Sequence, residues 1–305
     1  MILVSESHDV KVILFIIFRC YIRTHHDKSA MKKNFLTTIQ LLIPLRLLSW
    51  CVYKLSRVTI PFVKNIFIEL FIKKYNIDLS EYRKGRKEDY LSFNDFFTRE
   101  IKPELRLIES SYNSMVSPVD GLLIEHGKIN EDRIIQIKNS HYSLTKLLNN
   151  NQELAMKYLN GYFVTLYLAP DNYHRVHMPL DGTLVNSEHV PGKCFAVHQE
   201  SITKIPDLYI KNQRLINSFE NQLSPFVLIL VAALNVSSIT TVWKSEDLQA
   251  ENPLTIPKGE QMGQFNLGST VILLVPKESQ LIWSETMKTG TRVKVGQVIA
   301  QINND

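Results

Sequence analysis

The chain has 305 residues, 45% of them hydrophobic and 21% charged, which is enough apolar material for a buried core and excludes a disordered chain. Its net charge of +5 comes without a basic tract interleaved with aromatics, so nucleic acid is not indicated as a partner. Three cysteines, Cys20, Cys51 and Cys194, are odd in number and lack C-x-x-C spacing, which argues against a disulfide framework or structural zinc and for a reducing compartment.

No apolar run near the start reaches the length of a spanning helix. The run Val12 to Phe18 is closed by Lys11 and Arg19, and no clean small-residue cleavage site follows, so neither a spanning helix nor export is expected. Residues 1 to 30 read as an extension ahead of Met31, a second candidate start, which leaves open whether they are translated. From Met31 to Lys74 eight basic residues stand against one acidic residue, Glu69, among abundant Leu, Ile and Phe. That is the composition of basic amphipathic helices on an anionic membrane surface. One such helix is expected from Pro61, with Phe62, Val63, Ile66, Phe67, Leu70 and Phe71 on one half of its wheel and Ile68 and Ile72 on the other. An ordinary core helix is the alternative.

Ser92 is placed to cap a short helix that carries Phe93, Phe96 and Phe97 at helical spacing and ends near Pro103. Beyond about Ser117 the chain turns to short β-rich runs, YFVTLYL, FVLILVAAL, SITTVW, STVILLV and VGQVIAQI, with a helical pattern only near Leu144 to Leu159. The expected fold class is α+β: N-terminal amphipathic helices over residues 31–115, then a mostly antiparallel β-rich catalytic domain over 116–305.

Three stretches carry the chemistry. SPVDG, Ser117 to Gly121, reads on its own as a turn. In YLAPDNYHRVHMPLDG, Tyr167 to Gly182, His174 and His177 stand three apart without a third ligand at a familiar offset, so no metal is expected. In KGEQMGQFNLGSTVILLV, Lys258 to Val275, the pair Gly268 and Ser269 precedes a strongly apolar strand; alone it reads as a turn and a strand start.

Together, in this order, the three stretches resemble the phosphatidylserine decarboxylase family of the bacterial membrane-associated type, from about Met31 to the C-terminus. FNDFFTREIKPELRLI (Phe93 to Ile108) is similar to the family's phenylalanine-rich segment, VPGKCFAV (Val190 to Val197) to its V-P-G-x-x-F loop, and LGST (Leu267 to Thr270) to its self-cleavage site. The chain departs from the family pattern at Gln213, where glutamate is usual, at Ala232 and Ser237, where glycines are usual, and at Asn172, where aspartate usually precedes Tyr-His-Arg.

The resemblance implies that Ser269, His177 and Asp120 form a maturation triad that cleaves the Gly268–Ser269 bond. The products are a long β chain and a short α chain, and Ser269 becomes a covalent pyruvoyl group. That group condenses with the amine of phosphatidylserine as a Schiff base, and CO2 is lost to give phosphatidylethanolamine, with His174 as proton donor. The resemblance also implies peripheral attachment to the cytoplasmic side of the cell membrane and a dimer of αβ units. Two other readings stand beside it. One is a noncatalytic lipid-binding or biotinyl/lipoyl-like module, suggested by a closing hairpin in GTRVKVGQVIAQI (Gly290 to Ile302); the other is a zinc-dependent hydrolase using His174 and His177.

Overall fold

The computed structural model describes residues 52–137, 140–233, 239–249, 253–266 and 268–303; the expectations for residues 1–51, Ser237 and Leu267 lie outside these. The helix α1, Pro61–Tyr75, opens with proline in its first turn, where the missing N–H costs nothing, and closes on Asn76 in the left-handed conformation. The core takes one side of α1 and leaves most of the larger apolar set outside. Lys64, Ile68 and Phe71 point inward, while Phe62, Ile66 and Leu70 are exposed. A helix apolar on several sides does not encode which side meets the core, and here the sheet took the stripe that includes Ile68. Lys64, counted above among the membrane-facing cations, instead donates to the carbonyls of Lys87 (3.5 Å) and Glu88 (3.4 Å).

The helix α2, Phe93–Phe97, begins as expected, with the Ser92 hydroxyl accepting from the Asp95 amide at 3.2 Å. It stops at Thr98 rather than near Pro103, where only a short 3-10 turn forms, Pro103–Leu105. The helical stretch after Leu144 is split into Leu144–Leu147 and Gln152–Tyr158 by Asn149 and Asn150, both at positive φ. Two short helices, Gln199–Lys204 and Leu208–Lys211, have no counterpart in the sequence reading.

The β part is an α+β arrangement around one sheet of eight strands: β1 Gly121–Lys128, β2 Tyr162–Leu168, β3 Gly182–Val190, β4 Arg214–Glu220, β5 Phe226–Ala232, β6 Thr255–Ile256, β7 Ser269–Val275 and β8 Arg292–Val293. Their order across the sheet is β6-β3-β4-β5-β7-β2-β1-β8, and neighbours are antiparallel. β7 is central. All seven of its residues are buried because both faces of the sheet are covered. Ile272 and Leu274 face the helices with Phe71, Phe96 and Phe97, while Val271, Leu273 and Val275 face a second core with Val176, Met262 and Phe265. That second layer contains Arg175–His177 paired with Gln261–Phe265, and Ser114–Val116 paired with Val298–Gln301. The closing hairpin on which the biotinyl/lipoyl-like alternative rested does not form. β8 pairs with β1, whereas Val298–Gln301 pairs into a different sheet.

Candidate active site

The register of the sheet brings the three motif stretches to one end of it. Ser269, the first residue of β7, lies opposite Leu168, the last of β2, and on its other side opposite Ala232, the last of β5. In β1, Leu122 lies opposite Tyr167, so Asp120 precedes the strand at this same end. Two strand spacings, about 10 Å, separate the β7 and β1 backbones. From Leu168 the chain turns through Ala169 to Tyr173 and delivers His174, whose carbonyl accepts from the Phe265 amide at 3.0 Å. His174 is thereby held three residues ahead of Gly268. His177 lies at the far end of the same short pairing, opposite Gln261.

Ser269 is fully buried, and its hydroxyl has no hydrogen-bond partner among the described residues. A buried hydroxyl without a partner forfeits about 1–3 kcal/mol, a cost that stability alone does not explain. Around Gly268, by contrast, nothing apart from its own chain neighbours lies within 4 Å of where a Cβ would stand.

His174 is fully buried against the Phe97 ring, with centroids 4.1 Å apart. Its Nδ1 bonds the Asn172 carbonyl at 2.8 Å, and its Nε2 has no partner among the described residues. Burial, reinforced by the nearby Arg99 cation, pushes its pKa down to about 3. The ring is therefore neutral at pH 7, with the proton on Nδ1 and a bare Nε2. Arg99, also buried, donates to the carbonyls of Asp171 (2.7 Å) and Asn172 (3.4 Å) and fixes the turn that carries His174.

Asp120 is held from two sides. Arg106 grips it through Nε, 3.0 Å from Oδ1 and 3.2 Å from Oδ2, and through Nη2 to Oδ2. The Val295 amide donates to Oδ1 at 2.8 Å. His177 is tied to the Asp120 turn through its backbone, its amide donating to the Pro118 carbonyl at 2.8 Å. Its ring makes other contacts: Nδ1 with the Gly259 carbonyl at 2.7 Å and Nε2 with the Tyr173 hydroxyl at 3.0 Å. Burial lowers the His177 pKa, against the opposing pull of the Gly259 carbonyl and the Asp120 charge.

The structure thus gathers Asp120, His174, His177, Gly268 and Ser269 at one end of the sheet, but among the described residues no hydrogen bond joins Asp120 to His177 or His177 to Ser269. Arg106, Tyr173, Arg99 and the Val295 amide went unmarked in the sequence reading. No spacing rule points to an arginine fourteen residues ahead of a carboxylate, and a backbone amide carries no sequence signal at all. Three of the family departures, Asn172, Gln213 and Ala232, lie among the described residues. The Asn172 Oδ1 accepts from the Ala169 amide at 2.8 Å, a role aspartate fills equally. Gln213 bonds Lys193 through its backbone, while the buried Asn212 side chain joins Phe195 to Ala232. Ala232 packs its methyl into the helix-side core. Among the described residues no group of three or more His, Cys, Asp or Glu is arranged to hold a metal ion.

Comparison with known proteins agrees with this geometry. A family profile described as phosphatidylserine decarboxylase matches residues 93–301, and a second, described as PSD, matches 35–76. A phosphatidylserine decarboxylase proenzyme of Psychrobacter arcticus is 38% identical over 273 residues, covering 88% of this chain and 98% of the relative. Proenzymes of the same name from Shewanella sp. strain ANA-3 (39% over 280 residues, 87% and 96%) and Saccharophagus degradans (36% over 283 residues, 89% and 99%) match to a similar extent. With every candidate site residue inside the matched segment and the three motifs meeting at one end of the sheet, the chain belongs to the phosphatidylserine decarboxylase family.

Proposed function

We propose that the chain is a proenzyme that cuts itself between Gly268 and Ser269 and, with the pyruvoyl group formed at residue 269, decarboxylates phosphatidylserine to phosphatidylethanolamine at a membrane surface. The observation that carries this reading is the buried, unpartnered Ser269 hydroxyl next to an uncrowded Gly268 at the convergence of the three motifs. In the cleavage, the Ser269 oxygen bonds to the Gly268 carbonyl carbon as the C–N bond breaks, giving an ester and a free amine on residue 269. Loss of the α-proton then breaks the C–O bond, releasing the Gly268 carboxylate and leaving dehydroalanine. Its imine tautomer takes up water and loses ammonia, which leaves pyruvoyl.

His177 takes the Ser269 proton in this scheme, with Asp120 supplying the balancing charge. To do so, its Nε2 exchanges the Tyr173 hydroxyl for that of Ser269. The same pocket suits the finished group, because residue 269 keeps its place in β7 and the open space at Gly268 becomes room for substrate. Pyruvoyl supplies an electron-withdrawing carbonyl that accepts electron density as CO2 leaves. His174 enters neutral, so its bare Nε2 takes the proton that the substrate's ammonium must lose and returns it to the α-carbon. The membrane face, on the cytoplasmic side, is built on α1, and the cleaved chains pair as an αβ unit that dimerises.

The test is direct. The purified protein should contain a short chain of the 37 residues from 269 to 305 that resists Edman degradation, since pyruvoyl carries no amine. Ser269→Ala should stay whole and inactive. Decarboxylation by an uncut Ser269→Ala chain would overturn the proposal.

A further inference from the structure

Asp120 and Arg106 form the most completely bonded ion pair near the site. Their side chains are only 12% and 10% exposed, both carboxylate oxygens accept from the guanidinium, and Oδ1 also accepts the Val295 amide. In this arrangement the carboxylate makes no hydrogen bond to His177 among the described residues, and the His177 Nδ1 meets the Gly259 carbonyl. Yet Asp120 and His177 are electrostatic neighbours, and the Tyr173 hydroxyl on the His177 Nε2 feels both Asp120 and Arg106. Burial raises the weight of such charges, so a cation that offsets the Asp120 charge changes how readily the His177 ring is protonated.

We propose that Arg106 is a positioning residue for self-cleavage: by gripping both oxygens of Asp120 it offsets part of that charge beside His177 and sets the pH range in which the Gly268–Ser269 bond breaks. This rests on the reading above that His177 takes the Ser269 proton. Its consequence is that the uncut chain keeps His177 in the neutral, proton-accepting form further into acid than a lone Asp120 would allow. The other charged groups facing His177 are Arg175 on its own strand and Glu260 in the turn before the partner strand, and neither bonds Arg106 or Asp120. They stay constant when residue 106 is changed.

The experiment follows chain conversion, not decarboxylation. Proenzyme from cell-free translation is moved into buffers spanning the histidine range, and the uncut and cut chains are measured against time. In Arg106→Gln the Asp120 charge is no longer offset, His177 binds its proton more tightly, and the acid limb of the cleavage rate should move about one unit to higher pH. Arg106→Lys keeps the cation and should leave the limb in place. Asp120→Asn removes the anion and should move it to lower pH. If Arg106→Gln fails to fold, Arg106→Met, which keeps the apolar stem without the cation, should move the limb to higher pH in the same way, and an unmoved limb there overturns the inference equally. A limb unmoved in Arg106→Gln, whether or not the rate falls, makes Arg106 a structural staple only and overturns the inference. A wild-type chain that stays whole, or a His177→Ala chain that cuts with the wild-type profile, overturns the underlying reading instead.

Discussion

His174 and Arg99 lie side by side with no water-facing surface to spare, and their contacts decide the state in which the histidine works. The Asn172 carbonyl accepts from His174 Nδ1 and is steadied by Arg99, so the tautomer is set by backbone geometry. The depressed pKa has a thermodynamic counterpart. An unfolded histidine titrates near 6.5, and the folded one only at about 3. Between those values the unfolded chain binds a proton that the folded chain refuses, so stability is lost as pH falls through that window. Across the whole window the loss is roughly 4–5 kcal/mol. His177, also lowered by burial, acts in the same direction. In the uncut Ser269→Ala chain, His174→Gln should therefore lose less stability between neutral and mildly acid pH than its parent does, read as urea midpoints at each pH. Parallel losses in the two chains would rule out a neutral buried His174.

At the scale of elements, α2 is too short to persist by its own hydrogen bonds and exists because its ends and its face are held. Ser92 caps it, and Phe93, Phe96 and Phe97 pack edge-on around Phe71 of α1, with centroids 5.4, 5.7 and 6.1 Å away. Phe97 in turn touches the His174 ring. The α1 helix is thus joined to the site by two aromatic side chains. Phe71→Ala should cost about 3–5 kcal/mol and Ser92→Ala about 1 kcal/mol, measured by urea unfolding of the uncut Ser269→Ala chain. The larger change should also slow chain conversion, because α2 leads directly into Thr98, whose carbonyl accepts from Arg175 at 3.0 Å, and into Arg99. Similar losses for the two variants would mean that Phe71 does not organise the cluster.

For the whole molecule, the position of β7 explains how a chain can be cut and stay together. The bond proposed to break lies at the edge of the sheet's end, but the strand that follows it is paired on both sides, with β2 and β5, and buried on both faces. A short chain released by that cut would hold the middle of the sheet and could not leave without unfolding it. At the start and on the outer face of α1, Ile60, Phe62, Ile66 and Leu70 are 59%, 76%, 41% and 45% exposed, with Lys73 and Lys74 in the last turn. No helix among the described residues is long and apolar enough to cross a membrane. This face suits shallow insertion into an anionic surface, where each CH2 buried contributes about 0.8 kcal/mol. Replacing Phe62 and Ile66 by glutamate should reduce cosedimentation with phosphatidylserine-containing vesicles at least tenfold, since a loss of about 1.4 kcal/mol is enough for that, while chain conversion continues. Undiminished vesicle binding would take the membrane face away from α1.

The sequence by itself determined the central strands of the sheet and pointed to the candidate chemistry-bearing residues. Tyr162–Leu168 and Ser269–Val275 were legible to the residue, because a strand buried on both faces is a continuous apolar run bounded by turn residues. The Ser92 cap was legible because capping is local. Tertiary structure decided everything that depends on choosing among distant partners. Both halves of the α1 wheel were apolar enough to be buried, and only packing in the fold selected the side with Ile68 and Phe71. The C-terminal run looked like a hairpin because local pattern is blind to which sheet a strand joins. Its turn instead carries the Val295 amide to Asp120, 175 residues away in the chain. Arg106 and Tyr173 became visible only in the fold as well: the Arg106–Asp120 bonds span fourteen residues and the Tyr173–His177 bond four, but neither pair lies within one helix or strand whose period would bring the two side chains together.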